Sequence, residues 1–388
     1  MIIQKAFRFK RVPTPAQEQT FRQYAGACRW VWNEMLRERK ETYKATGKSP
    51  SMYAQMRRLT ELKQQPETVW LNDIHSQVLQ EPIKNLDRAF VNFFEKRAKY
   101  PKFKSKRRGL GSFSFPQSVK AEGNRVWLPK IGWVRFRKSR EIEGTIKRAT
   151  ISHQVSGWYV SLLCEIETPA PEPVLPTPET TISVDLGLTD FAVLSTGERI
   201  PNPRHLRKLE RKLANAQRAL SRKRKGSNRR KKQARQVARL HERVANARAD
   251  FLHKLSHRLT SENQAVIAED LSVKGLARTR LAKSVQDAGW GEFLRQLAYK
   301  TEWTGKTFHR IDRFFPSSKL HMVCGTLNNL SLSDRVFTCQ GCGALVDRDL
   351  NAALNIKHRG LVELSPVGQP GVHARGPDGR PCMQGGLG

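Results

Sequence analysis

The sequence predicts a multi-domain α+β protein. At 388 residues the chain is too long for one ordinary hydrophobic core. Segments that alternate apolar and polar residues, as strands do, occupy different parts of the chain from segments with apolar residues every three or four positions, as in helices. A proline-rich stretch at residues 169–180, PAPEPVLPTPET, separates an N-terminal half from a C-terminal half. We therefore expect a linker there.

The N-terminal half begins with residues 2–11, which alternate apolar and basic side chains and predict a strand that Pro13 and Pro15 end. Residues 13–99 predict a helical insertion, with helical spacing again around 78–94. Short strand-like segments follow to residue 168, so residues 1–12 and 100–168 predict a small β-barrel or sheet closed by the N-terminal strand. The first helical stripe consists of Phe21, Tyr24, Cys28, Val31, Trp32 and Leu36.

Between these parts lies KRAKYPKFKSKRRGLGSFSFPQS, in which cations alternate with aromatic residues. Cations can contact phosphates, and aromatic faces can stack on bases. In the alternative reading, Tyr100, Phe103, Phe113 and Phe115 form the core face of a strand and only the cations are solvated. The predicted phosphate contacts are Lys102, Lys104, Lys106, Arg107 and Arg108.

In the C-terminal half, TISVDLGLTDFAVLSTGERI predicts two strands, and residues 203–258 predict a long antiparallel helical hairpin. Its turn, SRKRKGSNRRKKQ, carries no acidic residue. A charge run is usually a solvated face, but at an exposed tip we favour phosphate contact. The predicted contacts at this tip are Arg222, Lys223, Arg224, Lys225, Arg229, Arg230, Lys231 and Lys232.

The chain carries 70 Lys plus Arg against 35 Asp plus Glu, a formal net charge of +35. Solubility needs only a few net charges, so this excess indicates a polyanionic partner, namely nucleic acid. No apolar run approaches a membrane span, and the first residues lack the apolar block of a signal peptide. Six cysteines do not make a disulfide scaffold. We therefore expect a cytoplasmic, nucleoid-associated protein with no membrane partner.

Three carboxylates lie at the ends of predicted strands or at the start of a predicted helix, where they could bind metal ions. Asp185 lies in the apolar strand ISVDLGL, where Gly187 leaves room for a phosphate or metal, and Glu269 closes the strand QAVIAED. Asp349 lies at the start of a helix that Gly360 is expected to end. Carboxylates are the hard ligands that hold two divalent cations during phosphodiester cleavage, with Mg²⁺ preferred and Mn²⁺ able to substitute. Each acid alone is weak evidence, and Asp270 and Asp347 are the adjacent competitors.

A second metal site is predicted from His321, Cys324, Cys339 and Cys342, which have the two-knuckle spacing of a zinc ribbon. A glycine follows each knuckle, at Gly325 and Gly343. Three thiolates and one imidazole are a normal structural set for Zn²⁺. The alternative is a decayed site in which His321 is only a surface residue.

Over nearly its whole length the chain resembles the TnpB family, the transposon-encoded ancestors of type V CRISPR nucleases. The matching segments are AGACRWVWNEML, YPKFKSKRRG with FSFPQ, SVDLGLTDFAVLSTGE, IAEDLSVKGL, GWGEFLRQLAYKTEWTGKTFHRIDRFFPSSKL and VFTCQGCGALVDRDLNAALNI. The family usually has Cys where His321 stands. The resemblance implies that Asp185, Glu269 and Asp349 are the three acids of a RuvC-like nuclease domain, which has an RNase H-like α/β fold.

The resemblance also implies a function: an RNA-guided DNA endonuclease that binds a guide RNA from the transposon end and cuts double-stranded DNA beside a short motif. The domains implied are the nuclease at 181–310 and 346–360 and a zinc ribbon at 311–345. The Gly- and Pro-rich composition of residues 361–388, without periodicity, predicts a disordered tail. Two alternatives stay open: a guide-dependent DNA-binding repressor that does not cut, and a transposase acting directly on DNA ends. The sequence leaves the oligomeric state undetermined.

Overall fold

The computed structural model describes residues 1–169, 175–331 and 334–365, apart from the side chain of Arg108. The chain divides into two compact units, Met1–Pro169 and Ala170–Gly388. The division falls within the predicted linker, of which residues 170–174 lie outside the described part. In the described residues, no helix is long and apolar enough to cross a membrane.

Unit 1 consists of a seven-stranded sheet and three α-helices, and the helices lie between the first and second strands in the chain. The strand order is β2-β6-β7-β1-β5-β4-β3, with antiparallel neighbours throughout. β1 therefore lies between β7 and β5, while closure into a barrel stays a prediction. The strands are β1 (Ile2–Arg11), β2 (Ser112–Phe115), β3 (Lys120–Glu122), β4 (Arg125–Leu128), β5 (Gly132–Arg137), β6 (Thr145–Gln154) and β7 (Gly157–Glu167), and the helices are α1 (Pro15–Thr46), α2 (Met52–Leu62) and α3 (Ser76–Phe94).

Helix α1 begins with a capping box, in which the Thr14 hydroxyl accepts from the Gln17 amide and the Gln17 side chain accepts from the Thr14 amide. It ends at Gly47, whose φ of 70° lies in the left-handed region that glycine adopts without strain because it lacks a β-carbon. The predicted stripe is buried as expected, and it packs with the sheet residues Phe113 and Phe115 in one hydrophobic core. These two phenylalanines are therefore core residues, not base-stacking residues.

Unit 2 is built on a five-stranded mixed sheet of order β10-β9-β8-β11-β12. β8, β9 and β10 are antiparallel neighbours, whereas β11 runs parallel to both β8 and β12. A separate antiparallel pair, β13–β14, lies at the C-terminal boundary of the predicted ribbon. The strands are β8 (Thr181–Leu186), β9 (Asp190–Leu194), β10 (Arg199–Pro201), β11 (Ala265–Glu269), β12 (Thr307–Ile311), β13 (Val336–Thr338) and β14 (Leu345–Asp347).

The helices of unit 2 are α4 (His205–Ser221), α5 (Asn228–Glu262), α6 (Val273–Leu276), α7 (Ala282–Ala288), α8 (Trp290–Trp303) and α9 (Arg348–Leu364). α4 and α5 pack together and form the predicted hairpin, with Leu213 and Val244 buried between them. The C-terminal part of α5 joins the core of the sheet through Leu252, Leu255 and Leu259.

Helix α9 corrects two expectations at the C-terminal end. Gly360 does not end the helix, which continues to Leu364, so residues 361–364 are not part of a disordered tail. A β-carbon at Gly360 would lie 2.5 Å from Cγ2 of Ile267. Glycine is required there because α9 packs closely on β11, not because the helix stops. The rest of the predicted tail, from residue 366, lies outside the described residues.

Candidate active site and metal site

Asp185 and Glu269 are positioned by the two central strands of the unit 2 sheet. Because β11 runs parallel to β8 with Ala268 beside Val184, Glu269 follows at the level of Asp185. The strand residues that precede both acids are buried and fix the backbone. The two carboxyls therefore lie at the same, C-terminal, edge of the sheet, where open α/β sheets generally bind ligands.

Asp349 comes to this edge on the first turn of α9. The helix is held on the sheet by the Ser183 hydroxyl, which donates to the Ala353 carbonyl at 2.5 Å, and by the contact of Gly360 with Ile267. Asp349 is close enough to Asp185 for its charge to raise the pKa of that carboxyl. The structure thus brings the three predicted acids to one place.

Burial and mutual repulsion shift the titration of these acids. Burial, together with the carboxylates of Asp349 and Glu269, raises the pKa of Asp185 to about 7. Arg348 and Arg335 act in the opposite direction. Burial raises the pKa of Glu269 to about 6, with a contribution from Asp270. Ionised carboxylates are costly here because they are desolvated and repel one another. A bound cation would offset both costs, so the cluster favours cation binding.

The two adjacent acids are occupied by other contacts. Asp270 pairs with Arg313, and Arg310 lies 3.6 Å from it. Asp347 is the N-cap of α9, where its carboxylate accepts from the Leu350 amide at 2.9 Å. It also pairs with Arg199 at 2.5 Å. Asp349 also pairs with cations, so ion pairs do not separate it from Asp347. Asp349 is the better candidate of its pair because its charge acts on Asp185, whereas Asp347 caps the helix.

Glycine is required at position 187 for a different reason from the one that the sequence indicated. A β-carbon there would lie 2.9 Å from the Asp190 carbonyl oxygen, across the tight connection between β8 and β9. Its amide donates to the Phe191 carbonyl at 3.2 Å. Glycine is needed for this turn, and an approach of phosphate or metal is not required to explain it.

Arg335 is a site residue that the sequence did not reveal. Its guanidinium lies 3.3 Å from both carboxylate oxygens of Asp349 and 3.2 Å from the Thr189 hydroxyl. Arg335 directly precedes β13, and its carbonyl accepts from the Arg348 amide at 2.9 Å. The pairing of β13 with β14 therefore carries this cation to the acids, and no local pattern in the sequence marks it.

The four predicted zinc ligands form one cluster, with their ligand atoms all within 4.8 Å of one another. The Cys324 and Cys339 sulfurs are 3.5 Å apart, and His321 Nδ1 lies 3.1 Å from Cys324 and 3.4 Å from Cys342. Tetrahedral Zn²⁺ with bonds of about 2.3 Å to sulfur spaces its ligands by about 3.8 Å. Donor set and spacing both fit zinc, and His321 is buried among the cysteines, not a surface residue.

The knuckles around this cluster have the expected tight turns. Gly325 and Gly343 have φ values of 71° and 74°, and their amides donate to the carbonyls of His321 and Cys339 at 2.9 Å. Hydrogen bonding with Thr326 lowers the pKa of Cys324 to about 6, which favours the thiolate that a metal needs. Asn351 and Asn355 of α9 donate to the Leu320 carbonyl and so join the ribbon to the helix of Asp349.

The predicted nucleic-acid contacts of unit 1 are only partly free for that role. The loop that contains them is tied to α1: Trp32 donates to the Lys102 carbonyl, and Asn33 exchanges two hydrogen bonds with the Lys104 backbone. The Lys104 ammonium lies 3.9 Å from the Trp32 ring centroid, and burial lowers its pKa. Lys102, Lys104, Lys106 and Arg107 are exposed, although the Lys104 ammonium is partly covered by the Trp32 ring. The side chain of Arg108 lies outside the described part.

At the hairpin tip one predicted contact has a structural role. Arg230 donates to the carbonyls of Leu220 at 2.6 Å and Lys223 at 3.1 Å, and so closes the turn between α4 and α5. Lys223 is half-buried. The remaining predicted contacts at the tip are exposed, namely Arg222, Arg224, Lys225, Arg229, Lys231 and Lys232.

Three family models match the chain. One described as "Probable transposase" covers residues 161–280, one described as "Cas12f1-like, TNB domain" covers 290–356, and one described as "Helix-turn-helix domain" covers 1–48. The last region folds here as β1 followed by the single helix α1. The second covers the ribbon and most of α9, and so includes the zinc cluster and Asp349.

Curated relatives match over most of their length. A Streptomyces pristinaespiralis protein named "Putative RNA-guided DNA endonuclease" is 40% identical over 371 residues, which span 92% of this chain and 90% of that protein. The Escherichia coli K12 protein named "Putative RNA-guided DNA endonuclease InsQ" is 37% identical over 379 residues, 93% of each chain.

Among solved structures, a chain of the Cas12f1–sgRNA–target DNA complex matches 92% of this chain and 99% of its own length, with a TM-score of 0.57 at 13% identity. This likeness concerns the fold, and it confirms the predicted multi-domain α+β class.

Proposed function

Since this chain belongs to the TnpB family of transposon-encoded proteins, we propose that it is an RNA-guided, divalent-metal-dependent DNA endonuclease that cuts beside a short target-adjacent motif. Its curated relatives at 37–40% identity are named as RNA-guided DNA endonucleases. The single observation that carries the proposal is the meeting of Asp185, Glu269 and Asp349 at one edge of the unit 2 sheet. Two of these carboxyls have pKa values raised by burial.

We assign Asp185, Glu269 and Asp349 as ligands of Mg²⁺, for which Mn²⁺ can substitute. When bound, the cations stabilise charge on the attacking and leaving oxygens of the phosphodiester. The carboxylates hold the cations and, once ionised, can take a proton from the attacking water. Arg335 supplies a positive charge beside Asp349 that can pair with a phosphate oxygen.

A mixed sheet with acids at the ends of its two central parallel strands supports assigning residues 181–310 and 346–360 to an RNase H-like, RuvC-type domain. We propose residues 311–345 as its zinc ribbon, 1–12 and 100–168 as a barrel-like domain and 13–99 as its helical insertion. The zinc would be structural. Its cluster holds together a segment with few buried apolar residues, and that segment carries Arg335 and leads into α9.

The net charge of +35 supports a guide RNA as the partner. A guide and an opened target duplex together present phosphates to several surfaces, whereas a simple nuclease needs one basic groove. The exposed hairpin tip and the exposed cations of the 102–107 loop are separate basic surfaces that fit this need. We propose that the guide derives from the transposon end and that its pairing with one DNA strand selects the target.

The experiment that tests this function has two stages. The protein is purified from its host and any co-purifying RNA is sequenced. The complex is then incubated with Mg²⁺ and a plasmid library carrying a guide-matched target with randomised flanks. We expect a discrete RNA ending in transposon-flanking sequence and cleavage restricted to one short flank. RNA without cleavage would favour a guided repressor, and DNA joining without RNA would favour a transposase.

A further inference from the structure

A cavity of about 500 Å³ in unit 1 is not explained by the nuclease site. It lies between α1 and the 3₁₀ turn Val69–Asp73. Gln23, Gly26 and Trp30 line it from one face of α1, and Trp70 and Asp73 line it from the turn. Its volume is in the range of small-ligand sites.

Two tryptophans form the aromatic wall of this cavity. The rings of Trp30 and Trp70 meet edge to face, with centroids 5.6 Å apart and planes at 76°. Trp70 is 39% exposed, although its Nε1 donates to the Glu67 carbonyl at 3.2 Å and fixes the ring. A fixed and exposed tryptophan face is a stacking surface for a planar ligand.

Gly26 leaves the helix backbone open at this cavity. A glycine inside a helix costs about 1 kcal/mol relative to alanine. No neighbour requires it here, because a β-carbon would meet only a guanidinium nitrogen of Arg29, at 3.7 Å. The bare backbone leaves room for a ligand to approach α1 closely.

The polar groups of the cavity fit the edge of a base and not a phosphate. Asp73 is exposed, and its carboxylate makes no hydrogen bond or ion pair with another described residue. A carboxylate only accepts hydrogen bonds and repels phosphate. Its two oxygens match the adjacent N1–H and 2-amino donors of guanine, whereas adenine presents one donor beside an acceptor. The amide of Gln23 can complement the remaining polar atoms of the base.

Basic residues beside the cavity can contact the phosphates of the same nucleotide. Arg29 lines this cavity and also a neighbouring one between α1 and the loop that runs from Lys102 to Ser112. Its guanidinium donates to the Leu110 carbonyl at 3.2 Å, which fixes it between the two. The exposed Lys102 and Lys106 lie on this loop and can contact the adjoining phosphates.

We propose that this cavity binds a single unpaired guanine base, stacked on Trp70 and read by Asp73. The inference rests on the proposed nucleic-acid binding and names one contact within it. The base is the shared chemistry, and it can come from the guide RNA or from a displaced DNA strand. Either source presents unpaired bases, which proteins read by stacking and by hydrogen bonds to the base edge.

The test uses full-length protein, freed of RNA in high salt, and fluorescein-labelled heptamers of uridine with guanosine, inosine or adenosine at the centre. Matched thymidine heptamers with a central deoxyguanosine or deoxyadenosine distinguish DNA from RNA. Fluorescence anisotropy at 0.5 M NaCl gives Kd while phosphate contacts are weakened. We expect guanine to bind about tenfold more tightly than adenine, with inosine between them, because it lacks the 2-amino group. A preference in only one sugar series identifies the source.

Asp73→Asn should bring the guanine and adenine heptamers within twofold of each other without weakening the adenine one. Glu122→Gln removes the same charge from an exposed carboxylate elsewhere in unit 1 and should keep the preference. Equal binding of guanine and adenine by the unchanged protein would overturn the proposal, as would a preference that survives Asp73→Asn. If an RNA still co-purifies, only the guanine site fails; without one, the proposed function fails.

Discussion

The Arg335 guanidinium lies 3.3 Å from both carboxylate oxygens of Asp349, although the two residues belong to different elements. Arg335 precedes the ribbon strand β13, and Asp349 lies in the first turn of α9. The contact joins the proposed zinc ribbon to the proposed nuclease site and places a cation of the ribbon beside a proposed catalytic acid.

Arg335→Ala should lower the cleavage rate by about 10²–10³-fold, because the scissile phosphate loses a preorganised positive charge. Binding of guide RNA and target DNA should change by less than about threefold. Single-turnover cleavage and an electrophoretic binding assay measure the two effects. Arg258→Ala, which removes an exposed partner of Glu198, is the matched control and should cleave normally. Equal rates for both variants would contradict this role.

The ribbon should contain about one zinc per chain, and removing zinc should lower cleavage more than tenfold by releasing Arg335 and the start of α9. Elemental analysis and cleavage are measured on the unchanged protein, His321→Cys and Cys339→Ala. His321→Cys recreates a four-cysteine site and should keep both zinc and activity. Cys339→Ala should lose both. Intact cleavage in zinc-free protein would contradict the proposed role of the ribbon in positioning Arg335 and the start of α9.

In magnesium-free buffer, the contribution of Asp185 and Glu269 to stability should fall as pH rises. Their pKa values are raised from 3.8 and 4.5 to about 7 and about 6, so the folded state binds more protons. The stabilisation they provide is complete below about pH 4 and lost by about pH 7. Asp185→Asn should therefore raise Tm by about 2–8 °C at pH 8 and by much less at pH 4.

Asp270→Asn is the control for this experiment, because it removes a carboxylate that pairs with Arg313. It should show no gain in Tm at pH 8. A gain for Asp185→Asn that is as large at pH 4 as at pH 8 would contradict the burial argument. Differential scanning calorimetry across the pH range measures both variants.

The hairpin tip should act through phosphate charge. Changing Arg222, Arg224, Lys225 and Arg229 together to glutamine should reduce the slope of log K against log salt for RNA binding by about 3, since each lost phosphate contact removes about 0.7–0.9. Arg230→Gln should instead lower Tm and leave the slope unchanged, because Arg230 closes the turn. An unchanged slope in the fourfold variant would show that the tip is only a solvated face.

Much of the site follows from local sequence patterns. Apolar runs mark β8 and β11, and a carboxylate at the end of each can be read without a structure. The ligand spacing likewise predicts the zinc cluster. Arg335 could not be found in this way, because its proximity to Asp349 arises from strand pairing in the ribbon and not from a motif.

The roles of single residues were harder to predict than the elements. Gly360 and Gly187 are required by Ile267 and by the Asp190 carbonyl, contacts that sequence alone does not contain. Phe113 and Phe115 alternate with polar residues in a way that fits both core and stacking, and only tertiary packing decides for the core. Arg230 resembles the other cations of its run until the turn carbonyls it contacts are known.

The central claim is that Asp185, Glu269 and Asp349 form the cleavage site, and one comparison tests it most directly. Guide-loaded Asp185→Ala is assayed on a matched target plasmid with Mg²⁺, beside Asp270→Asn and Asp347→Asn. The Asp347→Asn variant keeps at the N-cap of α9 a side chain that can still accept a hydrogen bond from the helix. We expect Asp185→Ala to cleave at least about 10³-fold more slowly while binding target within about threefold, and both controls to cleave normally. Cleavage by Asp185→Ala at the rate of the unchanged protein would contradict the account.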